Sequence, residues 1–291
     1  MRFGIVSNSD KDKEYAFAKY AANLLIRKGC EVVVDESYND TILAYVHGVE
    51  IDTYSKCDMI FSMGGDGTFL STVHRHISNN IPIIGVNLGS IGFLTEIMPD
   101  KFEDAIDRIL KGEYHLEKRS QLSVQVIDAE GNEKGSGLCL NDAVIARGLY
   151  LHVVTLDLFI DHDYVERLSG DGVILSTATG STAYSLAAGG PIVKPEMDIF
   201  LVTPICPHTL HNRSYVVSSD SEVEIRLQKY TDQPILSLDG RMDIKINMGD
   251  RIIVHTSKEP IVVVRIGYTN FYQTVRKKIR ARGSFYEDGE K

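Results

Sequence analysis

The chain has 291 residues, room for one large domain or two ordinary ones with a substantial core, and two is the expectation. Its 40 acidic and 31 basic side chains leave a formal charge of −9, so no broad electropositive face exists to trade counterions with a nucleic acid backbone. A phosphate-bearing ligand must then be held locally, by backbone amides, helix N-termini, a metal ion or a few placed cations.

The first nine residues lack the charged, apolar and cleavage regions of an export signal, and no apolar run reaches bilayer-spanning length. The expectation is a chain neither exported nor inserted, with no membrane partner. Residues 3–6 read as a strand. After Ser9 and Asp10 the apolar residues Phe17, Tyr20, Ala21, Leu24 and Leu25 recur at helical spacing up to Gly29, which predicts a capped helix with a glycine stop. Residues 32–34, 59–63 and 82–86 are continuous apolar runs of the kind found in sheets covered on both faces. His74 and His76 lie two apart on a presumed helix and face different ways, which makes them surface residues rather than a shared ligand pair. Residues 99–112 predict a helix with Phe102, Ala105, Ile106, Ile109 and Leu110 on one stripe, Pro99 and Asp100 in its first turn and Gly112 at its end. This alternation is that of a doubly wound sheet.

Beyond Arg119 the pattern changes. Residues 123–127, 153–160, 222–227, 252–255 and 261–266 are strand-like, rich in β-branched residues and separated by turn clusters, as in a sandwich. The expected division is an α/β nucleotide-binding domain over 1–117 and a β-rich domain over 118–267, with the tail 268–291 packing back on the first. Residues 271–282 read as a helix whose cations, Arg276, Lys277, Lys278, Arg280 and Arg282, form a solvated basic face rather than a phosphate site. The cysteines Cys30, Cys57, Cys139 and Cys206 show no CxxC spacing, which fits a reduced, cytoplasmic setting.

Gly64-Gly65-Asp66-Gly67-Thr68 lies between a buried strand and a helical start at Phe69, Leu70 and Val73. Gly64, Gly65, Gly67 and Thr68 make a phosphate cradle, because glycines let backbone amides approach oxygens and a helix N-terminus favours negative charge. Asp66 opposes such a ligand unless it holds a cation or takes a proton from an attacking group, and both roles belong to phosphoryl transfer. A lone Gly-Asp-Gly is more often an acidic helix cap; the added glycine, the threonine and the preceding strand favour the chemical reading. A second run follows Gly170-Asp171-Gly172. Ser176, Thr177, Thr179, Ser181, Thr182 and Ser185 fall within ten positions, more hydroxyls than capping needs, and suggest a wall lying against a dinucleotide with Tyr184 stacking on it. His208 and His211 follow Pro207 with no third ligand at diagnostic spacing, so they read as loop or interface histidines.

These motifs resemble the NAD kinase family, from about Phe3 to the segment 271–278. The markers are Gly64 to Thr68, Asn141-Asp142, the run 171–192, Pro207-His208-Thr209-Leu210 and Asp239-Gly240-Arg241. Diacylglycerol, sphingoid and phosphofructokinase-type kinases share Gly-Gly-Asp-Gly; the run 171–192 separates this family from them. The resemblance implies an N-terminal Rossmann-like domain and a C-terminal β-sandwich-like domain, with NAD in a cleft between them near a subunit contact. It implies transfer of a phosphoryl group from ATP, another triphosphate or polyphosphate to the 2′-hydroxyl of the adenosine ribose of NAD, with Mg²⁺ and a homodimer or homotetramer. Asp66 is then the base, and Asp66 and Gly67 touch the dinucleotide. Asn141 and Asp142 bind its base and ribose, Asp171 its far end, and Thr182, Ala183, Tyr184, Ser185, Leu186 and Ala187 line the wall, with His152, Ser169 and Arg241 at further contacts.

Three positions depart from the family pattern. Asp142 stands where Glu is usual, Ser169 where Arg is frequent, with Arg167 in reach of the same region, and Arg241 where Gln is frequent. Two alternatives remain: a lipid kinase, which needs an apolar channel, and a non-catalytic dinucleotide sensor, which gains little from Asp66 beside phosphates.

Overall fold

The computed structural model describes residues 1–76, 80–89, 92–148, 152–209, 213–268 and 270–283, with backbone alone for 279–283. Leu210, His211 and the side chains of Arg280 and Arg282 lie outside the described residues. The chain forms two compact units, Met1–Glu117 together with the segment starting at Val262, and Lys118–Ile261.

The first unit opens with β1 (Arg2–Ser7), α1 (Ala16–Arg27), β2 (Glu31–Val34), β3 (Val49–Ile51), β4 (Met59–Gly64), α2 (Asp66–His76), β5 (Ile83–Asn87), β6 (Thr95–Ile97), α3 (Phe102–Leu110) and β7 (His115–Arg119). The strands order β3-β2-β1-β4-β5, and every pair in this run is parallel. Phe3 pairs with Val32 on one neighbouring strand and Met59 on the other, and the consecutive residues from Phe3 to Ser7 are all buried, so both faces of β1 are covered. The chain goes outward from β1 to β3, then returns to β4 on the opposite side of β1. Open α/β sheets bind ligands outside the carboxyl ends of the strands at such a reversal. Ser7 and Asn8 lie at that end of β1, and Gly64 to Asp66 at that end of β4.

Several local readings change. On α3 the stripe Phe102, Ala105, Ile106 and Ile109 is buried, but Leu110 is 39% exposed because the helix ends there. The cap of α1 is neither Ser9 nor Asp10: the buried Asp12 carboxylate accepts the amides of Phe17 (2.8 Å) and Ala18 (2.9 Å) and the Ser7 hydroxyl (2.7 Å). His76 is not a surface residue. Its ring sits 4.6 Å from that of Tyr54, edge to face, and burial lowers its pKa.

The second unit contains β8 (Leu122–Ile127), β9 (Glu133–Cys139), β10 (Asp142–Ala146), β11 (Val154–Ile160), β12 (Asp163–Gly170), β13 (Gly172–Thr177), the single helical turn α4 (Tyr184–Ala187), β14 (Ile199–Ile205), β15 (Tyr215–Ser218), β16 (Val223–Lys229), β17 (Ile235–Leu238), β18 (Met242–Lys245) and β19 (Arg251–Thr256). They form two six-stranded antiparallel sheets, ordered β15-β14-β13-β10-β17-β18 and β12-β11-β16-β19-β8-β9. One core unites them: Ala143, Ile145, Val173, Leu175 and Phe200 of the first sheet pack with Leu122, Val124, Leu156, Ile225 and Ile252 of the second. This is a β-sandwich.

The chain then returns to the first unit. β20 (Ile261–Arg265), grouped by sequence with the β-rich half, lies between β5 and β7 and pairs parallel with β5 through Val263 and Ile83. Its valine-rich run suits either kind of sheet. What fixes its place is Glu96 on β6, whose buried carboxylate accepts the amides of Ile266, Gly267 and Tyr268 at 3.0, 2.6 and 3.1 Å. α5 (Phe271–Gly283) follows. The described residues contain no helix long and apolar enough to cross a membrane.

Candidate active site

In the first unit the glycine motif makes the expected strand, turn and helix. Gly64 ends β4 and α2 starts at Asp66, with the Phe69 amide bonded to the Gly65 carbonyl at 3.0 Å. A Cβ on Gly64 would meet the Thr68 hydroxyl at 2.2 Å, so glycine is what lets Thr68 fold back over the turn. Nothing lies within 4 Å of a Cβ placed on Gly65 or Gly67. That open space at a helix N-terminus suits phosphate oxygens. Thr68 is buried and holds the turn together, accepting from Asn8 Nδ2 at 3.2 Å.

Asp66 does not point into solvent. Its Oδ1 accepts the Leu94 amide and its Oδ2 the Phe93 amide, each at 2.9 Å, and Lys278 Nζ stands 3.1 Å from Oδ2. The side chain keeps 30% of its surface exposed. A Cβ on Gly92 would strike Asp66 Oδ1 at 2.1 Å, so this glycine, too, lets a loop close on the carboxylate. Sequence reasoning missed Phe93, Leu94 and Lys278. The reading of the α5 cations as a solvated face is corrected for Lys278, whose position on the helix aims it at Asp66.

Beside the motif a polar cavity of about 360 Å³ opens at the carboxyl end of β1. Ser7, Asn8, Tyr15, Tyr38, Thr68 and Arg75 are among its lining residues.

In the second unit Asn141 and Asp142 are fixed by Asp239. The Asp239 carboxylate accepts the amides of Leu140 (2.8 Å), Asn141 (2.8 Å) and Asp142 (3.0 Å), and its own amide donates to the Asp142 carbonyl at 2.9 Å. Asp239 and Gly240 both have positive φ, the turn geometry that allows this. The marker Asp239-Gly240-Arg241 thus works through its aspartate, while Arg241 is exposed. Asp142 is buried, and its carboxyl is pushed up from 3.8 to about 7, first by desolvation and second by the Asp239 charge, with the Tyr184 amide opposing.

The hydroxyl-rich run departs from its sequence reading. Ser176, Thr177, Thr179, Ser181, Thr182 and Ser185 are all buried and engaged internally. Thr177 donates to the Leu140 carbonyl at 2.6 Å, Ser181 to the Ala178 carbonyl at 2.7 Å and Thr182 to the Thr179 carbonyl at 3.3 Å, while Ser185 meets the Thr203 hydroxyl at 3.1 Å. These side chains knit the turn rather than present a hydroxyl wall. Tyr184, 46% exposed, and Ala187 face outward, with Ala183 and Leu186 half-buried. Asp171 is ion-paired with Arg147 at 2.7 Å. Ser169 lies on β12 and His152 is exposed ahead of β11. Arg167 does not stand in at Ser169, because its guanidinium forks onto Asp157 at 2.7 and 3.0 Å. His208 is an exposed loop residue.

Residues 3–114 match the family description ATP-NAD kinase N-terminal domain, and residues 140–266 match ATP-NAD kinase C-terminal domain. The chain belongs to the NAD kinase family. An NAD kinase of Caldanaerobacter subterraneus subsp. tengcongensis is 36% identical over 282 residues, covering 97% of this chain and 99% of that one. An NAD kinase of Desulforamulus reducens is 36% identical over 278 residues, covering 95% and 96%. Among solved structures, an NAD kinase from Archaeoglobus fulgidus in complex with ATP superposes with a TM-score of 0.74 at 26% identity, over 97% of this chain and 99% of that one. Yeast NADH kinase complexed with NADH shares the fold, with a TM-score of 0.87 at 24% identity over 98% and 89%.

The first unit brings a part-exposed carboxylate, Asp66, beside a glycine turn at a helix N-terminus. Among the described residues no group of three or more His, Cys, Asp or Glu could hold a metal ion, and three donors already engage Asp66.

Proposed function

We propose that this chain is an NAD kinase that moves the terminal phosphoryl group of ATP onto the 2′-hydroxyl of the adenosine ribose of NAD, giving NADP. The observation that carries the reading is Asp66, a carboxylate fixed at a helix N-terminus between a glycine turn and two backbone amides. The ribose O–H bond breaks toward Asp66, the oxygen–phosphorus bond forms, and the bond to the leaving diphosphate breaks with its electron pair retained there. Gly64, Gly65, Gly67 and Thr68 with the neighbouring polar cavity receive the triphosphate, and Arg75 brings a cation to it. A divalent ion such as Mg²⁺, which keeps most of its waters and needs few protein ligands, would be held mainly by the triphosphate itself and would offset the charge that builds there. Asp66, Gly67, Asn141, Asp142, His152, Ser169, Asp171, Arg241 and the segment from Thr182 to Ala187 contact NAD, with the Tyr184 ring stacking and the backbone of this segment supplying polar groups. A homo-oligomer in the cytoplasm completes the reading. Its test is direct: purified protein with NAD, Mg²⁺ and ATP, GTP or polyphosphate, followed by an NADP-dependent dehydrogenase. NADP formation is expected with ATP; transfer to a sphingoid base instead would replace this function with a lipid kinase.

Asp142 predicts a pH effect. Its folded-state pKa of about 7 lies above the ordinary 3.8, so the fold binds this proton more tightly than the unfolded chain does. That stabilisation is present below pH ~4 and is lost as pH rises to about 7. Asp142→Asn, uncharged and nearly isosteric, is expected to gain thermal stability on the wild type as pH rises through this window. Melts of both proteins at several pH values check it, and a constant difference between them would show Asp142 titrating as an ordinary exposed carboxylate.

A further inference from the structure

A carboxylate offers about four acceptor positions. At Asp66 three are taken: Leu94 N–H on Oδ1, and Phe93 N–H and Lys278 Nζ on Oδ2. Two of the donors are backbone groups, fixed by the chain. The third is a side chain reaching from α5, 212 positions away in sequence. Lys278 is no loose surface cation, since its side chain is 18% exposed and its ammonium lies 4.2 Å from the centre of the Phe93 ring. That ring in turn sits 6.3 Å from the ring of Phe271, the first residue of α5. Charge-assisted hydrogen bond, cation–π contact and ring contact converge on one lysine.

An anchor for α5 would be the simpler role. The segment before the helix is already gripped by Glu96, and Thr274 and Val275 of the helix are buried. A partly exposed ion pair adds little to such an anchor. Its placement has a larger consequence for Asp66, which is left with one acceptor direction open and one orientation.

Resting on the kinase reading above, we propose that Lys278 is a positioning residue for phosphoryl transfer. It clamps Asp66 so that the remaining lone pair meets the sugar hydroxyl, and it exchanges no proton or phosphoryl group itself. In-line transfer depends steeply on such alignment. The amides of Phe93 and Leu94, one on each oxygen, set the plane of the carboxylate; Lys278 fills the second position on Oδ2, which leaves the open lone pair on Oδ1, and it is the clamp donor that a side-chain substitution can remove.

The test is a double-mutant cycle on the full chain, measuring kcat and the KM for NAD. Lys278→Met is expected to lower kcat by roughly 10- to 100-fold with KM within about threefold, and Lys278→Arg to recover part of the loss. In the Asp66→Asn background, Lys278→Met should change kcat by less than about twofold, since the group it acts through is gone. A structural anchor would not move with the state of residue 66. Equal losses in both backgrounds, or a Lys278→Met chain with wild-type kcat, overturn the clamp. If the Met variant fails to fold by thermal melt, Lys278→Gln takes its place in the same cycle. A wild-type chain that makes no NADP overturns the kinase reading and the clamp together, whereas wild-type turnover with an indifferent Lys278 overturns the clamp alone.

Discussion

Asp66→Asn is expected to lower turnover with NAD and ATP by roughly 10²- to 10⁴-fold, the usual contribution of a general base. The substitution keeps size and planarity but removes the basic oxygen. It also replaces one acceptor by an NH₂ group facing donors, because Phe93 N–H, Leu94 N–H and Lys278 Nζ all point at this carboxylate. One of these contacts therefore becomes donor against donor, and a modest drop in thermal stability accompanies the loss of rate. NAD binding is carried mainly by groups elsewhere in this reading, so KM for NAD should move far less than kcat. Steady-state kinetics with a coupled NADP assay separates the two. Turnover within a few-fold of wild type would remove Asp66 from the base role.

How much of this arrangement could be read in the sequence depends on distance along the chain. The elements that carry β4, β5, α1 and α3 show long apolar runs or clear 3.6-residue stripes, and each formed near its expected bounds. β3 and β6 have three residues each, too short for any periodicity to register. β20 was legible as a strand and not as a member of the first sheet, since Ile261 to Val264 would be buried equally well in either unit and the deciding carboxylate, Glu96, lies about 170 positions earlier.

The site divides in the same way. Asp66 was visible because strand, glycines and helix start are contiguous. Its partners sit 27, 28 and 212 positions away, and nothing in the composition of the 271–282 helix distinguishes Lys278 from its basic neighbours. Asp239 marks the family pattern, yet its service to three consecutive amides appears only when the turn is folded beside β10. The hydroxyl run misled for a physical reason. Serine and threonine are as suited to closing an irregular buried turn on itself as to meeting a ligand, and the internal partners, the carbonyls of Leu140, Ala178 and Thr179 and the hydroxyl of Thr203, decide between the two.

That buried turn yields the second large effect, from Gly180→Ala. A Cβ at position 180 would lie 2.0 Å from the Asn141 carbonyl oxygen, 2.5 Å from its carbon and 2.8 Å from its Cα. All three are backbone atoms, so no side-chain rotation relieves the overlap. The Asn141 backbone has little room to retreat. Its carbonyl accepts the Thr177 amide at 2.9 Å and its amide is held by Asp239 at 2.8 Å. Gly180 is fixed as well, donating to Thr177 Oγ1 at 3.0 Å and accepting the Ala183 amide at 2.8 Å. Overpacking of this kind costs about 3 kcal/mol or more when the neighbours are main chain. A displaced Asn141 takes with it Asp142 and the turn leading to Tyr184, so NAD affinity should fall along with stability. Gly189→Ala is the control. That glycine has φ +91 but nothing within 4 Å of its Cβ position, so the cost is backbone strain of about 1 kcal/mol. Denaturant melts should place Gly180→Ala well below Gly189→Ala, and a titration with NAD should separate them in the same order. Equal melts would mean that the backbone at Asn141 yields, and that the contact at Gly180 does not set the position of the proposed NAD-binding residues.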